Sequence, residues 1–375
     1  MTTPETAPLF IMVGGFLGAG KTTTVGRLAR HYQAQGKRVV VVTNDQAADL
    51  VDTHTLRSQG LEVGEVAGSC FCCNFNELTS VMEKLGEGNL PDIVLAEPVG
   101  SCTDLVATVL RPLERVYQHP LRVAPYAVIL KPGHGLRILN NQKKAGFSPQ
   151  AAYIFKKQIE EADLVLLNRV DELPPDEVTD LTRLVEEQFP GRIILPVSAH
   201  TGAGFARLVE ILEGAEIVPG SRTMEVDYDI YAQGEADLGW LNSQGLVRAD
   251  KPFDVDALAI GLVRSIQALL TAHDAETAHL KVTVKGAGAI AVANSIDNST
   301  EPRLSQPANR QATEVDLILN ARVALDPETL AELVTRGTHV AALAVGGSAT
   351  LANLRSFRPG RPVPTHRLVE TGQST

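Results

Sequence analysis

The sequence predicts an α/β protein, a doubly wound and mostly parallel sheet followed by a smaller C-terminal α+β domain. Three observations carry that prediction. Short runs rich in Val, Ile and Leu alternate with amphipathic stretches of about 10 to 15 residues as far as Gly214. The runs are unbroken, not alternately apolar and polar, which marks strands buried on both faces of a sheet. Beyond a stretch containing Pro and Gly the order changes, and several strand-like segments follow one another between two helices.

The expected strands are "LFIMV" (9 to 13), "RVVVVT" (38 to 43), "LEVGEV" (61 to 66), "DIVLAEP" (92 to 98), "VAPYAVIL" (123 to 130), "DLVLLN" (163 to 168) and "RIILPVS" (192 to 198). Helical patterns such as "TTVGRLARHYQAQ" and "DEVTDLTRLVEEQ" supply the covering layers. "EIVPGSRT" (216 to 223) has the composition of a linker. After it come a strand at 225 to 232, a helix in "DVDALAIGLVRSIQALLTA", the strands "HLKVTVK", "AIAVANSI" and "EVDLILNARV", and the helix "PETLAELVTRG". That βαβββα order suits helices on one face of an antiparallel sheet. Residues 297 to 313 read as a polar loop. The expected organisation is a flexible tail over 1–8, a first domain over 9–214, a linker over 215–224, a small α+β domain over 225–357 and an extended tail over 358–375.

With 375 residues, 44% of them hydrophobic, the chain can bury a substantial core. It has no apolar run near the ~20 residues that a membrane span needs. The first apolar run lacks the basic segment and cleavage site of a secretion signal, so the expectation is a soluble, cytoplasmic protein with no membrane partner. A formal charge of −10 without a Lys/Arg run argues against a nucleic acid partner. Three of the four cysteines, Cys70, Cys72 and Cys73, crowd into "GSCFCCNF". In a reducing compartment such a cluster points to metal or redox chemistry before a disulfide.

Directly after the first strand, "GGFLGAGKTTT" contains the full G-x-x-x-x-G-K-[ST] pattern, with Gly15, Gly20, Lys21 and Thr22 at its fixed positions. Glycines let the backbone wrap an anion, so Gly15, Gly18, Ala19, Gly20 and the start of the next helix, to Thr23, form a phosphate cradle. Lys21 would bridge the β- and γ-phosphates and the Thr22 hydroxyl would hold Mg²⁺. The sixth and seventh strands run into "NRVD" and "SAHTG". Asp171 can accept two hydrogen bonds from guanine that adenine cannot donate, with Asn168 on the other edge and Ser198 and Ala199 on the O6 side. Arg169 stands where guanine-specific sites usually carry Lys and can lie over the base, and His200 reads as a solvated loop residue.

The fourth strand ends "LAEPVG", placing Glu97 to hold Mg²⁺ or order the attacking water and Gly100 to reach the γ-phosphate through its N–H. Asp45, at the end of the second strand, fits a Mg²⁺ contact and a helix cap equally. The Cys loop follows the third strand, at the sheet edge where ligands of doubly wound folds bind. Thiolates at Cys70 and Cys72 can hold one ion, with Cys73 as a third sulfur and an open fourth position suited to transfer; packed reduced thiols are the alternative. Cys102 reads as a buried thiol with at most a minor ligand role.

Together, "GGFLGAGKTT", the C-x-C-C loop "CFCC", "EPVG" and "NRVD" resemble the CobW-type P-loop GTPases, relatives of the hydrogenase and urease nickel chaperones, over residues 9 to 214. The resemblance implies a GTP- and Mg²⁺-dependent metallochaperone or metal insertase. Cys70, Cys72 and Cys73 would bind a cargo ion, Zn²⁺ or Co²⁺ ahead of Ni²⁺, for delivery to a client metalloenzyme or a corrinoid-pathway protein; a homodimer is compatible with it. The rival readings are a GTPase chaperone of a corrinoid-dependent enzyme and a GTP-binding metal buffer or sensor with little turnover. The nine His are scattered, which argues against a storage tract, and "NRVD" and "TNDQ" depart from common members of the group.

Overall fold

The computed structural model describes residues 7–45, 51–140, 148–295, 297–298 and 300–369. The first half runs β1 (Leu9–Gly14), α1 (Lys21–Ala34), β2 (Val39–Asp45), α2 (Val51–Ser58), β3 (Glu62–Ala67), α3 (Phe75–Gly86), β4 (Ile93–Glu97) and α4 (Arg111–Arg115). It continues through β5 (Arg122–Val123), β6 (Ala127–Leu130), α5 (Pro132–Leu139), α6 (Pro149–Glu161), β7 (Leu164–Leu167), α7 (Pro175–Gln188), β8 (Ile193–Pro196) and α8 (Phe205–Glu213). The sheet order is β3-β2-β4-β1-β6-β7-β8, with every pairing parallel and the short β5 alongside β1.

β1, β4, β6 and β7 are buried at every position. Their side chains divide between two apolar layers: Phe10 and Met12 pack on one face of the sheet, Ile11 and Val13 on the other. That two-sided burial is why the strands read as unbroken apolar runs. The run expected at 123 to 130 splits into β5 and β6 around Pro125, which has no N–H to give a ladder.

The second half comprises α9 (Tyr228–Ala236), β9 (Gly239–Asp254), α10 (Val255–Ala272), β10 (Thr277–Gly286), β11 (Ala289–Ser295), β12 (Arg303–Gln306), β13 (Gln311–Val323), α11 (Pro327–Ala344) and β14 (Gly347–Phe357). Its sheet is antiparallel in the order β12-β11-β10-β13-β9-β14, and α10 and α11 share its second core. The overall class is the expected one, but the details differ.

The segment 225 to 232, expected as a strand, leads into α9, because the Asp227 carboxylate accepts from the N–H groups of Asp229 (2.9 Å) and Ile230 (3.1 Å) and starts a helix. β9 and β14 were not anticipated; β9 contains Gly, Asn, Ser and Gln, residues that blunt the strand pattern. β12 lies within the expected 297 to 313 loop.

α10 is the one described helix long and apolar enough to cross a membrane by composition. Leu258, Leu262, Val263 and Ile266 recur on its buried face and pack into the second core. The two halves meet through apolar packing, with Tyr231, Leu238 and Trp240 joining the first core, and through polar contacts such as the buried ion pair of Lys131 and Asp297 at 2.9 Å.

Candidate functional site

β1 stops at Gly14 and α1 starts at Lys21, so residues 15–20 make the turn that a phosphate cradle requires. Gly15 and Gly20 hold φ of 126° and 105°, where an L side chain is strained. A Cβ at Gly15 would lie 2.2 Å from the Ile129 carbonyl oxygen, and one at Gly20 would lie 2.4 Å from Asn168 Nδ2. Gly18 is also left-handed, and Ala19 is buried. The left-handed Gly20 caps α1 without a side-chain hydrogen bond. The first N–H groups of α1 are thus oriented for an anion.

Lys21 Nζ is buried and donates to the carbonyls of Gly15 (2.9 Å) and Phe16 (3.5 Å). Burial lowers its pKa, with the Glu97 carboxylate opposing. Thr23 is exposed on the first turn of α1.

Thr22 Oγ1 lies 2.7 Å from Asp52 Oδ1 and 2.9 Å from Glu97 Oε1. One hydroxyl has one hydrogen, so both contacts can be hydrogen bonds only when one carboxyl is protonated. Of the two, Glu97 is the better proton holder: burial and then the nearby Asp52 charge push it up to about 7. Burial raises Asp52, but the Lys281 ammonium and the Thr22 hydroxyl outweigh it, and the net shift is downward. Glu97 Oε2 is buried with no hydrogen-bond partner among the described residues. Two carboxylates meeting on a P-loop hydroxyl, with a buried oxygen left over, fit a hard divalent cation such as Mg²⁺.

Asp52 escaped sequence reasoning, which had offered Asp45; the Asp45 side chain lies outside the described residues. The only sequence signal for Asp52 was an acidic residue in the first turn of a helix after the second strand. Gly100 follows β4 closely enough that a Cβ there would lie 2.8 Å from Lys21 Nζ and 2.7 Å from Leu17 Cδ2.

On the base side, Asn168 uses both ends of its amide inside the protein. Nδ2 donates to Ala19 O (2.8 Å) and Oδ1 accepts from Ala199 N (2.9 Å), so it staples the cradle to the 198–202 loop. Ser198 is buried and its hydroxyl accepts from Thr201 N. Asp171 is exposed in a short 3₁₀ turn, next to Arg169, which has a left-handed φ of 64° and pairs with Glu172 at 3.3 Å. Arg27 holds this loop in place by donating to the carbonyls of Ala199 and His200.

The three loop sulfurs converge: Cys70–Cys72 at 3.0 Å, Cys70–Cys73 at 3.2 Å and Cys72–Cys73 at 3.6 Å. Cys70 and Cys72 are buried and Cys73 is half-buried. The loop is pinned by Asn44 at the end of β2, which accepts from Phe71 N and donates to Val66 O and Ser69 O.

The neighbouring thiols, Cys102 first and then Cys72 and Cys73, pull the Cys70 pKa well below the ordinary thiol range against the effect of burial. Cys72 is raised by its bond to Cys70, and Cys73 is pushed up to about 12 for the same first reason. Cys102 sits two residues beyond Gly100, so the loop after β4 touches both the phosphate cradle and the sulfur cluster. Sequence reasoning gave neither Asn44 nor this Cys102 contact, since neither residue sits in a motif.

The tail after β14 covers the cluster. Thr365 N donates to Cys72 O (2.8 Å), Thr365 Oγ1 to Cys73 O (3.1 Å), and His366 meets the edge of Phe75.

Residues 9–195 match a family model described as CobW/HypB/UreG, nucleotide-binding domain. The signal recognition particle receptor FtsY of Neisseria gonorrhoeae is 29% identical over 134 residues, 34% of this chain and 31% of FtsY. The zinc chaperone YeiR of Escherichia coli (strain K12) is 28% identical over 178 residues, 46% of this chain and 49% of YeiR. The chain thus spans only 31% and 49% of the length of these two curated relatives. Among solved structures, Zn(II)-bound YjiA GTPase from E. coli aligns with 88% of this chain and 98% of its own, at 15% identity and a TM-score of 0.38.

Proposed function

We propose, from the premise that residues 9–195 belong to the CobW/HypB/UreG nucleotide-binding domain family, that this protein hydrolyses GTP and carries a transition-metal ion on Cys70, Cys72 and Cys73 for delivery to a client. The observation that carries this reading is the convergence of three sulfurs within 3.6 Å at the sheet edge that also holds the P-loop. Packed thiols have no need to converge on one another, whereas a borderline-soft ion requires it. Zinc is the favoured cargo, supported by the name of the relative YeiR. The client would be a metalloenzyme or a corrinoid-pathway protein.

In this reading Thr22, Asp52 and Glu97 would hold Mg²⁺, which would supply charge neutralisation for the phosphates. Lys21 exchanges the Gly15 and Phe16 carbonyls for phosphate oxygens. Glu97 and Asp52 would offer carboxylate oxygens to the cation, and the Gly100 N–H would face the γ-phosphate. Asn168 holds the guanine loop against the cradle, and the exposed Asp171 reads the base. Because the loop after β4 carries both Gly100 and Cys102, and Cys102 acts on the Cys70 thiol, ordering of that loop by nucleotide would alter the sulfur cluster and couple nucleotide to cargo.

Coupling of this kind is reciprocal, so the test is a double titration. Zn²⁺ affinity is measured with and without GTPγS, GTPγS affinity with and without Zn²⁺, and both are repeated in Cys72→Ala. The reading requires equal coupling factors in the two directions and loss of tight Zn²⁺ binding in the variant. Zn²⁺ binding unchanged in Cys72→Ala would end the cargo assignment, and absence of phosphate release from GTP would end the hydrolase assignment.

A further inference from the structure

One charged neighbour of the nucleotide site comes from the second sheet. Lys281 lies on β10, in register with Asn320 on β13, and both reach across to the first turn of α2. Lys281 Nζ is 2.5 Å from Asp52 Oδ1, the same oxygen that lies 2.7 Å from the Thr22 hydroxyl. Asn320 Oδ1 accepts from Val51 N at 3.0 Å, one residue before Asp52. The ammonium is therefore two hydrogen bonds from the P-loop threonine, beside Lys21 and facing Asp52 and Glu97. His279, buried on the same strand, also faces it, and His279 in turn faces the buried Arg322 of β13.

A structural explanation for Lys281 is available but incomplete. Asp52 in the first turn of a helix is already favoured by the helix dipole, and Asn320 already serves the adjacent N–H, so α2 needs no cation from another domain to form. The electrostatic setting explains more. Without nucleotide, Lys21 and Lys281 face the two carboxylates. GTP brings a γ-phosphoryl group, and the accompanying divalent cation only partly offsets the triphosphate charge. The γ-phosphate of GTP, which GDP lacks, would thus meet a second lysine already held at Asp52, beside the threonine.

We propose that Lys281 is a finger supplied in cis: a cation from the C-terminal domain that contacts the γ-phosphate side of bound GTP and makes the second sheet part of the nucleotide site. This rests on the reading that the P-loop binds GTP with Mg²⁺. Fingers of this kind stabilise the charge of phosphoryl transfer. Lysine acts there as a point charge, so arginine can replace it in part.

The test compares wild type, Lys281→Met, Lys281→Arg and Asn320→Ala for binding of GTPγS and GDP in the presence of Mg²⁺, and for kcat with GTP. Lys281→Met is expected to weaken GTPγS by roughly ten- to a hundredfold while GDP changes by no more than about twofold. Its kcat should fall about a hundredfold. Lys281→Arg should recover most of the GTPγS preference. Asn320→Ala, which loosens the same interdomain contact without removing the charge, should keep the wild-type ratio of GTPγS to GDP affinity.

Equal weakening of GTPγS and GDP in Lys281→Met, or a matching loss of ratio in Asn320→Ala, would overturn the proposal and leave a docking ion pair. Wild type that hydrolyses GTP alongside a fully active Lys281→Met would remove the finger alone. Wild type that ignores GTP would remove both readings.

Discussion

The backbone N–H of Val363 donates to the Cys73 sulfur at 3.3 Å, tying the C-terminal tail to a cysteine 290 positions earlier. Cys73 is the one member of the trio that is not buried, so this strap stands between the cluster and solvent. With the two Thr365 contacts it adds three hydrogen bonds across the loop. Ending the chain after Phe357 should raise the rate at which a disulfide reagent labels Cys73 by roughly tenfold or more, since each lost hydrogen bond contributes about 1 kcal/mol. Labelling kinetics on the truncated and full chains check this; identical rates would mean that the strap does not shield the sulfur.

Asn168→Ala removes partners from Ala19 O and Ala199 N together. Leaving two such groups unsatisfied costs about 1–3 kcal/mol each where they are buried. The expected outcome is a lower thermal midpoint and GDP binding weakened by at least about tenfold, read by calorimetry. A variant with wild-type GDP affinity would separate the staple from nucleotide binding.

At Gly100 even a methyl group meets Lys21 Nζ and Leu17. Gly100→Ala should displace the lysine or the loop, and on the proposed reading it should depress kcat far more than GDP affinity because GDP lacks the phosphate that this N–H would face. About a hundredfold loss in kcat is expected. Single-turnover GTP hydrolysis together with GDP binding decides it, and parallel losses in both would point to general disruption of the cradle.

Glu161 gives a pH dependence with a definite sign. Burial pushes its carboxyl well above the ordinary value of 4.5, with the Val106 N–H opposing. A carboxyl raised in the folded state contributes stability that is complete below the unfolded value and is lost as pH rises through the folded one. Glu161→Gln stays neutral and keeps an acceptor for Val106 N. Its thermal midpoint should therefore fall less than that of wild type between roughly pH 5 and pH 8. Parallel curves would show that Glu161 does not titrate differently on unfolding.

Much of the first sheet could be read from residues 9 to 198 because strands buried on both faces must be apolar throughout, as β1, β4, β6 and β7 are. The second sheet was harder. β9 interleaves Asn242, Ser243 and Gln244 with its apolar residues, and β14 is half-exposed, so neither has a strong pattern. Asp227 turned an expected strand into α9 through a local cap that a strand reading overlooks. At the site, Lys21, Thr22, Glu97 and the three loop cysteines were visible because each sits in a motif of fixed spacing. Asp52, Asn44 and Lys281 were not, because each is a single polar residue with no spacing rule, and Cys102 was legible only as the buried thiol that it is.

By itself, then, the sequence determined the parallel sheet, the phosphate turn and the crowding of Cys70, Cys72 and Cys73. Those features are local: φ at Gly15 and Gly20, burial along one strand and thiols within four positions depend on neighbours in the chain. Tertiary structure alone decided that Lys281 meets Asp52 across 229 positions, that Cys102 lies against Cys70 and that the tail seals the cysteine loop. Such contacts depend on how two sheets and a tail dock. Docking is governed by the summed burial of many side chains, which no short stretch of sequence encodes.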